Sequence, residues 1–318
     1  MSTQAQGYQD VVFKASREIV YLEYTPSVLP AKPSDDWTRF VCVSDTHSRS
    51  FEVPDGDVLL HSGDLTNHGT VADFKKTMDW LYGLPHKLKI IIAGNHDLTL
   101  HADWYEKEHE NWHKIVGKQD LAPVIEMIKG EKATKAGIVY LEDEDYAFRT
   151  RDNGKLWTIY GSPWSPEFFN LAFNYSRTDA QEVVSKFPKT DILLTHGPAH
   201  QIFDRITRGD DVGCEALRTR LAELRPRLHL AGHIHEAHGA YIHTWASSDN
   251  FEPPTIQNDD PIVSTSQNIS DDPSAGRMEQ TVFVNAANWP MGEKATRDGV
   301  KSSFGGPGFQ AVVVDLKD

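Results

Sequence analysis

The chain has 318 residues, 46 acidic against 32 basic, for a formal charge of −14. That balance argues against broad nucleic-acid binding or an anionic-membrane footprint, and a hydrophobic content of 39% excludes wholesale disorder. Two cysteines cannot frame a disulfide scaffold and fit a reducing compartment, while 15 histidines raise metal binding as a use for some of them.

The N-terminal stretch MSTQAQGYQDVVFKAS lacks the apolar core of a secretion signal, and no run approaches the length of a spanning helix. The expectation is a soluble cytoplasmic protein with no membrane partner. Residues 1–37 read as an N-terminal arm packing on the core, with short strands at Val11–Phe13 and Ile19–Glu23 and a Pro-containing connector from Pro26 to Pro33. Residues 38–318 read as a single domain. Within it a rhythm repeats five times: RFVCVSD, DVLLHSGD, KLKIIIAGNHD, DILLTHGP and RLHLAGHIH. Each is a short apolar, β-rich run of the kind a strand covered on both faces shows. Each ends in a polar cluster.

Helical spacing appears between these runs. Val71, Phe74, Met78 and Leu81 recur at three and four residues, predicting a helix over 71–82, and 179–186 and 215–224 read the same way. Alternating strands and helices predict a layered α/β fold, and in such folds ligands bind beyond the carboxyl ends of the strands. The aromatic stretch 161–175 reads as core packing under a loop or as a wall of the site. The stretch 244–280, polar and without periodicity, reads as an insertion, either disordered or a lid.

The chemistry lies in the polar clusters: Asp45-Thr46-His47, Gly63-Asp64, Gly94-Asn95-His96-Asp97, Thr195-His196-Gly197 and Gly232-His233-Ile234-His235. Carboxylate, imidazole and amide oxygen together suit divalent metals of intermediate softness. Asp45 and His47, like His233 and His235, are two residues apart, so an extended backbone would point each pair one way. The expected arrangement is dinuclear: Asp45, His47 and His235 on one ion, Asn95, His196 and His233 on the other, and Asp64 between them. Two divalent cations (Mn, Fe, Zn or Mg, with Mn favoured) could activate a water for in-line attack on a phosphate ester. His96, beside Asn95, would be the general acid to the leaving oxygen, oriented by Asp97.

These clusters, in this order, resemble the signature of the calcineurin-like metallophosphoesterases: D-x-H, G-D, G-N-H-[DE], a later H, then G-H-x-H. The resemblance covers roughly residues 38–318. It implies a four-layered α/β/β/α sandwich with two central mixed sheets, metals at the strand ends, and hydrolysis of a small-molecule phosphate ester. The stretches VCVSDTHS, PDGDVLLHSGDLTNHG, YGSPWSP, THGPAHQIFDR, DVGCEALR and LHLAGHIHEAHGAY look most like the small brain-type (MPPED) subgroup. Some members of that subgroup lack one histidine of the final pair, whereas this chain has both, which implies a full two-metal site. The 244–280 insertion departs from the subgroup pattern. The signature does not separate phosphodiesters such as cyclic nucleotides from phosphomonoesters, nor the enzyme from a binding scaffold or a site recruited to another bond.

Candidate substrate contacts lie outside the signature. Trp164 could stack on a ring, Arg177 and Arg205 could bind phosphate bidentately, as could Arg208, and His200 lies four residues beyond His196. Thr66 and Asn67 could touch substrate or build a turn. His61 reads as a buried histidine, while His101, His109 and His113 read as solvated helix positions. Cys42 and Cys214 read as packing residues.

Overall fold

The computed structural model describes residues 10–245, 255–256, 279–297 and 300–318. Two mixed sheets lie face to face. The first has seven strands, in the order Val11–Lys14, Glu18–Glu23, Val312–Lys317, Trp37–Val43, Val58–Ser62, Leu88–Ile92 and Ile138–Leu141. The second has six, in the order Gly239–Thr244, Gln280–Asn285, Leu228–Ala231, Ile192–Thr195, Trp157–Ser162 and Glu144–Phe148. In the first sheet the strands from Val11–Lys14 to Trp37–Val43 pair antiparallel and those from Trp37–Val43 to the Ile138–Leu141 edge pair parallel, while in the second sheet parallel pairs hold the centre and antiparallel pairs both flanks.

Side chains alternate along each central strand, and both faces are covered, which is why these strands read as continuous apolar runs. Phe40, Cys42, Leu60, Ile90, Ile192, Leu194, Val282 and Val284 point into the core between the sheets. Val41, Val43, Leu59 and Ile91 point the other way, against Phe74, Met78 and Leu81 of helix Val71–Gly83 and Val124 and Ile128 of helix Leu121–Lys129. On the far side of the second sheet, Leu193 and Phe283 pack on Leu217, Leu221 and Leu224 of helix Glu215–Leu224 and Val184 of helix Ala180–Val184. The result is the expected α/β/β/α sandwich.

The first helix begins where its chemistry directs. Thr70 caps it by accepting from the Asp73 amide, and Thr77 donates to the Leu65 carbonyl, tying the helix to the loop after the second parallel strand. The N-terminal stretch is built into the first sheet, where Glu18–Glu23 pairs antiparallel with Val312–Lys317. Most of 244–280 lies outside the described residues. Three pieces of it are placed: Thr244 ends a strand beside buried Trp245, Ile256 exchanges backbone hydrogen bonds with Gln201 and Phe203, and Gln280 begins the next strand. Among the described residues no helix is long and apolar enough to cross a membrane.

Two strand histidines are fully enclosed. His61 bonds Thr46 (2.9 Å) and His229 bonds Thr195 (3.0 Å), and burial lowers both pKa values to about 3. A histidine whose folded pKa is depressed takes up a proton more readily when unfolded. It therefore removes stability as pH falls below the unfolded value, about 6.5, toward the folded one. Each should contribute a slope of about 1.4 kcal/mol per pH unit in that window. Urea unfolding at pH 7, 6 and 5 should show His229→Asn with a shallower decline than wild type, and equal slopes would contradict the assignment. The shared core makes a second prediction. Phe40 is fully buried between the sheets, edge-on to Trp157 at 5.2 Å, so Phe40→Ala should cost about 3–5 kcal/mol. A loss below about 1 kcal/mol would contradict a common core.

Candidate metal centre

All five polar clusters sit at the carboxyl ends of central strands, three from the first sheet and two from the second. The sheets are stitched together there. Ser44 forms an isolated parallel bridge with Ala287, Asn288 donates its backbone N–H to the Ser44 carbonyl (3.1 Å), and the Ser62 hydroxyl donates to the Thr195 carbonyl (2.6 Å). Two glycines permit this closeness. A Cβ on Gly94 would meet the Asp64 amide nitrogen at 2.3 Å, and one on Gly232 would meet Asp45 Oδ2 at 2.3 Å.

The backbone at the ligand positions is not extended, contrary to the two-residue alternation expected for the Asp45–His47 and His233–His235 pairs. Asp45, His47, Asp64 and His233 all have positive φ, at 54°, 46°, 52° and 69°, and His235 opens a one-turn 3₁₀ segment, His235–Ala237. Side chains converge through left-handed turns instead. Such conformations persist only where the surroundings over-determine them. Here Asp45 donates to the Gly63 carbonyl (2.9 Å), His47 to Asp64 (3.0 Å) and Ser48 to Leu65 (3.0 Å), lacing the first ligand loop to the second.

One carboxylate oxygen or imidazole nitrogen from each of Asp45, His47, Asp64 and His235 lies within 4.8 Å of the others. His235 Nε2 is 3.1 Å from Asp45 Oδ1 and 3.2 Å from His47 Nε2. On the opposite side of Asp64, His196 Nε2 lies 2.7 Å from Asn95 Oδ1 and 3.4 Å from Asp64 Oδ1. The His233 ring stands 5.0 Å from that of His196. The structure therefore brings all seven expected ligand residues to one place, in two groups flanking Asp64.

The hydrogen-bond pattern fits a cation better than a network of protons. His196 Nδ1–H donates to the Ser62 carbonyl (2.9 Å), so Nε2 turns a lone pair toward two further oxygens. His47 Nδ1 and Asn95 Nδ2 are buried without a partner. Lone pairs facing one another in a buried site repel unless a positive charge lies between them. Burial would by itself raise Asp45, but the hydrogen bond and charge of His235 hold its carboxyl well below the usual range. Burial alone would lower His235, yet its bond to Asp45 raises it. Burial pushes Asp64 up, and burial with neighbouring imidazoles pushes His47 and His233 well down, favouring the neutral ligand form.

Residues around the ligands are placed as follows. The His96 ring stands 4.8 Å from that of His47, and its Nδ1–H donates to the Asn67 carbonyl (2.8 Å). Asp97 does not orient it. That carboxylate is fully buried and accepts from the Leu65, Thr66 and Gly94 amides and the Thr66 hydroxyl. Burial and the nearby Asp64 push its pKa up to about 7. Asp97 thus braces the loops carrying Asp64 and Asn95, and Thr66 is a turn residue.

The expected substrate contacts are mostly engaged elsewhere. Trp164 donates its indole N–H to Asp143 (2.7 Å) and packs against His101 and Phe173. Arg177 holds the Gly213 and Val212 carbonyls, Arg205 pairs with Asp211 and Arg208 with Asp210. His200 faces Asp204 at 3.5 Å. His113 is buried and bonded to Tyr105 and the His68 carbonyl, and half-buried His101 accepts from the Phe173 amide, so neither is a solvated helix position.

Other residues reach the centre. Phe168, 47% exposed, stands edge-on to His233 at 5.7 Å. Trp289 stands edge-on to His47 at 5.2 Å, with the Arg49 guanidinium 4.1 Å over its ring. A signal for Trp289 was present: TVFVNAAN is a sixth apolar run ending in polar residues, and Trp289 follows it.

Comparison with known proteins agrees with this geometry. The calcineurin-like phosphoesterase family model matches residues 38–237. Human metallophosphoesterase domain-containing protein 1 is 36% identical over 242 residues, covering 72% of this chain and 71% of the relative. A UPF0046 protein of Caenorhabditis elegans is 36% identical over 225 residues, covering 66% of this chain and 54% of that protein. A probable rhamnogalacturonate lyase C of Emericella nidulans is 37% identical over 224 residues, covering 69% of this chain and 19% of that longer protein. Matches of this extent and identity show that the chain belongs to the calcineurin-like phosphoesterase family.

Proposed function

We propose that the protein is a dinuclear metal-dependent hydrolase of small phosphate esters. The observation that carries the reading is the placement of Asp64. Its Oδ2 lies 3.7 Å from His47 Nε2 in one donor group, and its Oδ1 lies 3.4 Å from His196 Nε2 in the other. One carboxylate between two imidazole-rich groups suits a bridging ligand. Asp45, His47 and His235 would complete one position, and Asn95, His196 and His233 the other. The mix of oxygen and nitrogen donors favours Mn²⁺, with Fe, Zn and Mg as the other fits. Bound cations would supply Lewis acidity toward the phosphoryl oxygens and a water acidified to near neutrality.

The chain's own residues supply the rest. Buried Asp97 and the glycines hold the ligand loops at fixed separation, so the phosphorus can be oriented for in-line attack. His96 is half-buried beside His47, with Nδ1 committed to Asn67. Its Nε2 is the ring nitrogen left to deliver a proton to the departing oxygen. The two buried free thiols fit a cytoplasmic setting, and the acidic surface fits a small-molecule substrate better than a polyanion.

The Mn²⁺-loaded protein should turn over p-nitrophenyl phosphate, bis-p-nitrophenyl phosphate or both, and no turnover of either with Mn, Fe, Zn or Mg would contradict the proposal. His96→Ala should keep its metal and lose about 10²–10⁴-fold with poor alkyl leaving groups, with a much smaller loss for p-nitrophenolate. An equal loss for both classes would remove the general-acid assignment.

A further inference from the structure

We infer that Arg49, presented on the indole of Trp289, is the substrate-anion contact of this centre and sets its preference for doubly charged phosphoryl groups. The inference rests on the phosphoesterase reading and adds to it a residue outside the metal signature.

Placement comes first. Arg49 donates its backbone N–H to the Thr46 carbonyl (2.9 Å), closing a turn whose central residues, His47 and Ser48, have φ of 46° and 59°. Two positive φ values in succession define a type I′ turn, a tight and rigid connection. Ser48 is held further because its hydroxyl accepts from the Asn67 amide (3.2 Å). The turn that delivers His47 to the metals therefore also fixes the backbone of Arg49.

The side chain is held by rings. Its guanidinium lies 4.1 Å over Trp289 and 6.0 Å from Phe304, while Trp289 leans edge-on against His47 at 5.2 Å. A guanidinium held over a ring spends no hydrogen-bond donor on a carboxylate, so its N–H fork can serve bidentate oxygen ligands. No carboxylate takes that fork among the described residues, although the chain carries 46 acidic residues. The other described arginine side chains are engaged: Arg39 with Asp315, Arg151 with Asp318, Arg205 with Asp211, Arg225 with Glu279 and Arg227 with Glu18 are examples. An exposed cation seated on Trp289, which itself leans on the ligand His47, with its donors unspent, is built to receive an anion.

The test reads binding and turnover separately. Titration calorimetry of the Mn²⁺-loaded protein with inorganic phosphate should give an affinity that falls about tenfold or more in Arg49→Ala (~1.4 kcal/mol), with unchanged metal content. Arg49→Lys should recover it in part, since lysine keeps the charge and loses the fork. KM for p-nitrophenyl phosphate, a dianion, should rise more in Arg49→Ala than KM for the monoanionic diester, with kcat within about threefold. Trp289→Leu should move phosphate affinity in the same direction, and Trp289→Phe should move it less. Unchanged phosphate affinity and KM in Arg49→Ala would overturn the inference, as would a wild-type protein that binds metal but no phosphate. Wild-type phosphate binding that depends on Arg49, without turnover of any ester, would instead overturn the phosphoesterase reading and leave the anion contact standing.

Discussion

The structure depends at its centre on one electrostatic constraint. Asp64 is 1% exposed and its carboxylate is faced from both sides by imidazoles. Burial disfavours its charge, and the nearby nitrogens carry lone pairs that face oxygens. In water such groups would be separately hydrated. Brought together they repel, and the energy is recovered when cations lie between them. The hydrogen bond between His235 and Asp45, which favours a proton on that ring, meets a small part of this demand. The rest of the site is unmet polarity, as the partnerless His47 Nδ1 and Asn95 Nδ2 record.

The fold exists in a form that can hold such a centre. Two sheets share one apolar core, so the carboxyl ends of their parallel strands meet along a single edge. Helices pack on the outer face of each sheet. Strained turns at Asp45, His47, Asp64 and His233 are kept by backbone bonds between neighbouring loops and by the Asp97 carboxylate, which gathers four donors at the base. A rigid base of this kind lets donors sit closer than their charges would choose.

Much of this was legible in the sequence, for a physical reason. A strand covered on both faces must be apolar throughout, so the five runs stood out, and the polar clusters that interrupt them could only lie at their ends. Helix Glu215–Leu224 was likewise readable, from its periodicity. Other features depend on contacts distant in the chain. The pairing of Glu18–Glu23 with Val312–Lys317 has no local signal. The left-handed turns were missed because alternation describes strands, and the ligands begin where the strands stop. The role of Asp97 was misread because its partners are backbone amides, which carry no sequence identity. Arg49 and Trp289 are far apart in sequence and meet only once both sheets are built.

The most direct test of the central claim is the number of ions the centre holds. Elemental analysis after Mn²⁺ loading and desalting should find about two per chain in the wild type and one or fewer in Asp64→Ala, since each donor group loses its shared ligand. A wild-type chain that retains no metal, or an Asp64→Ala chain that keeps two, would contradict the account.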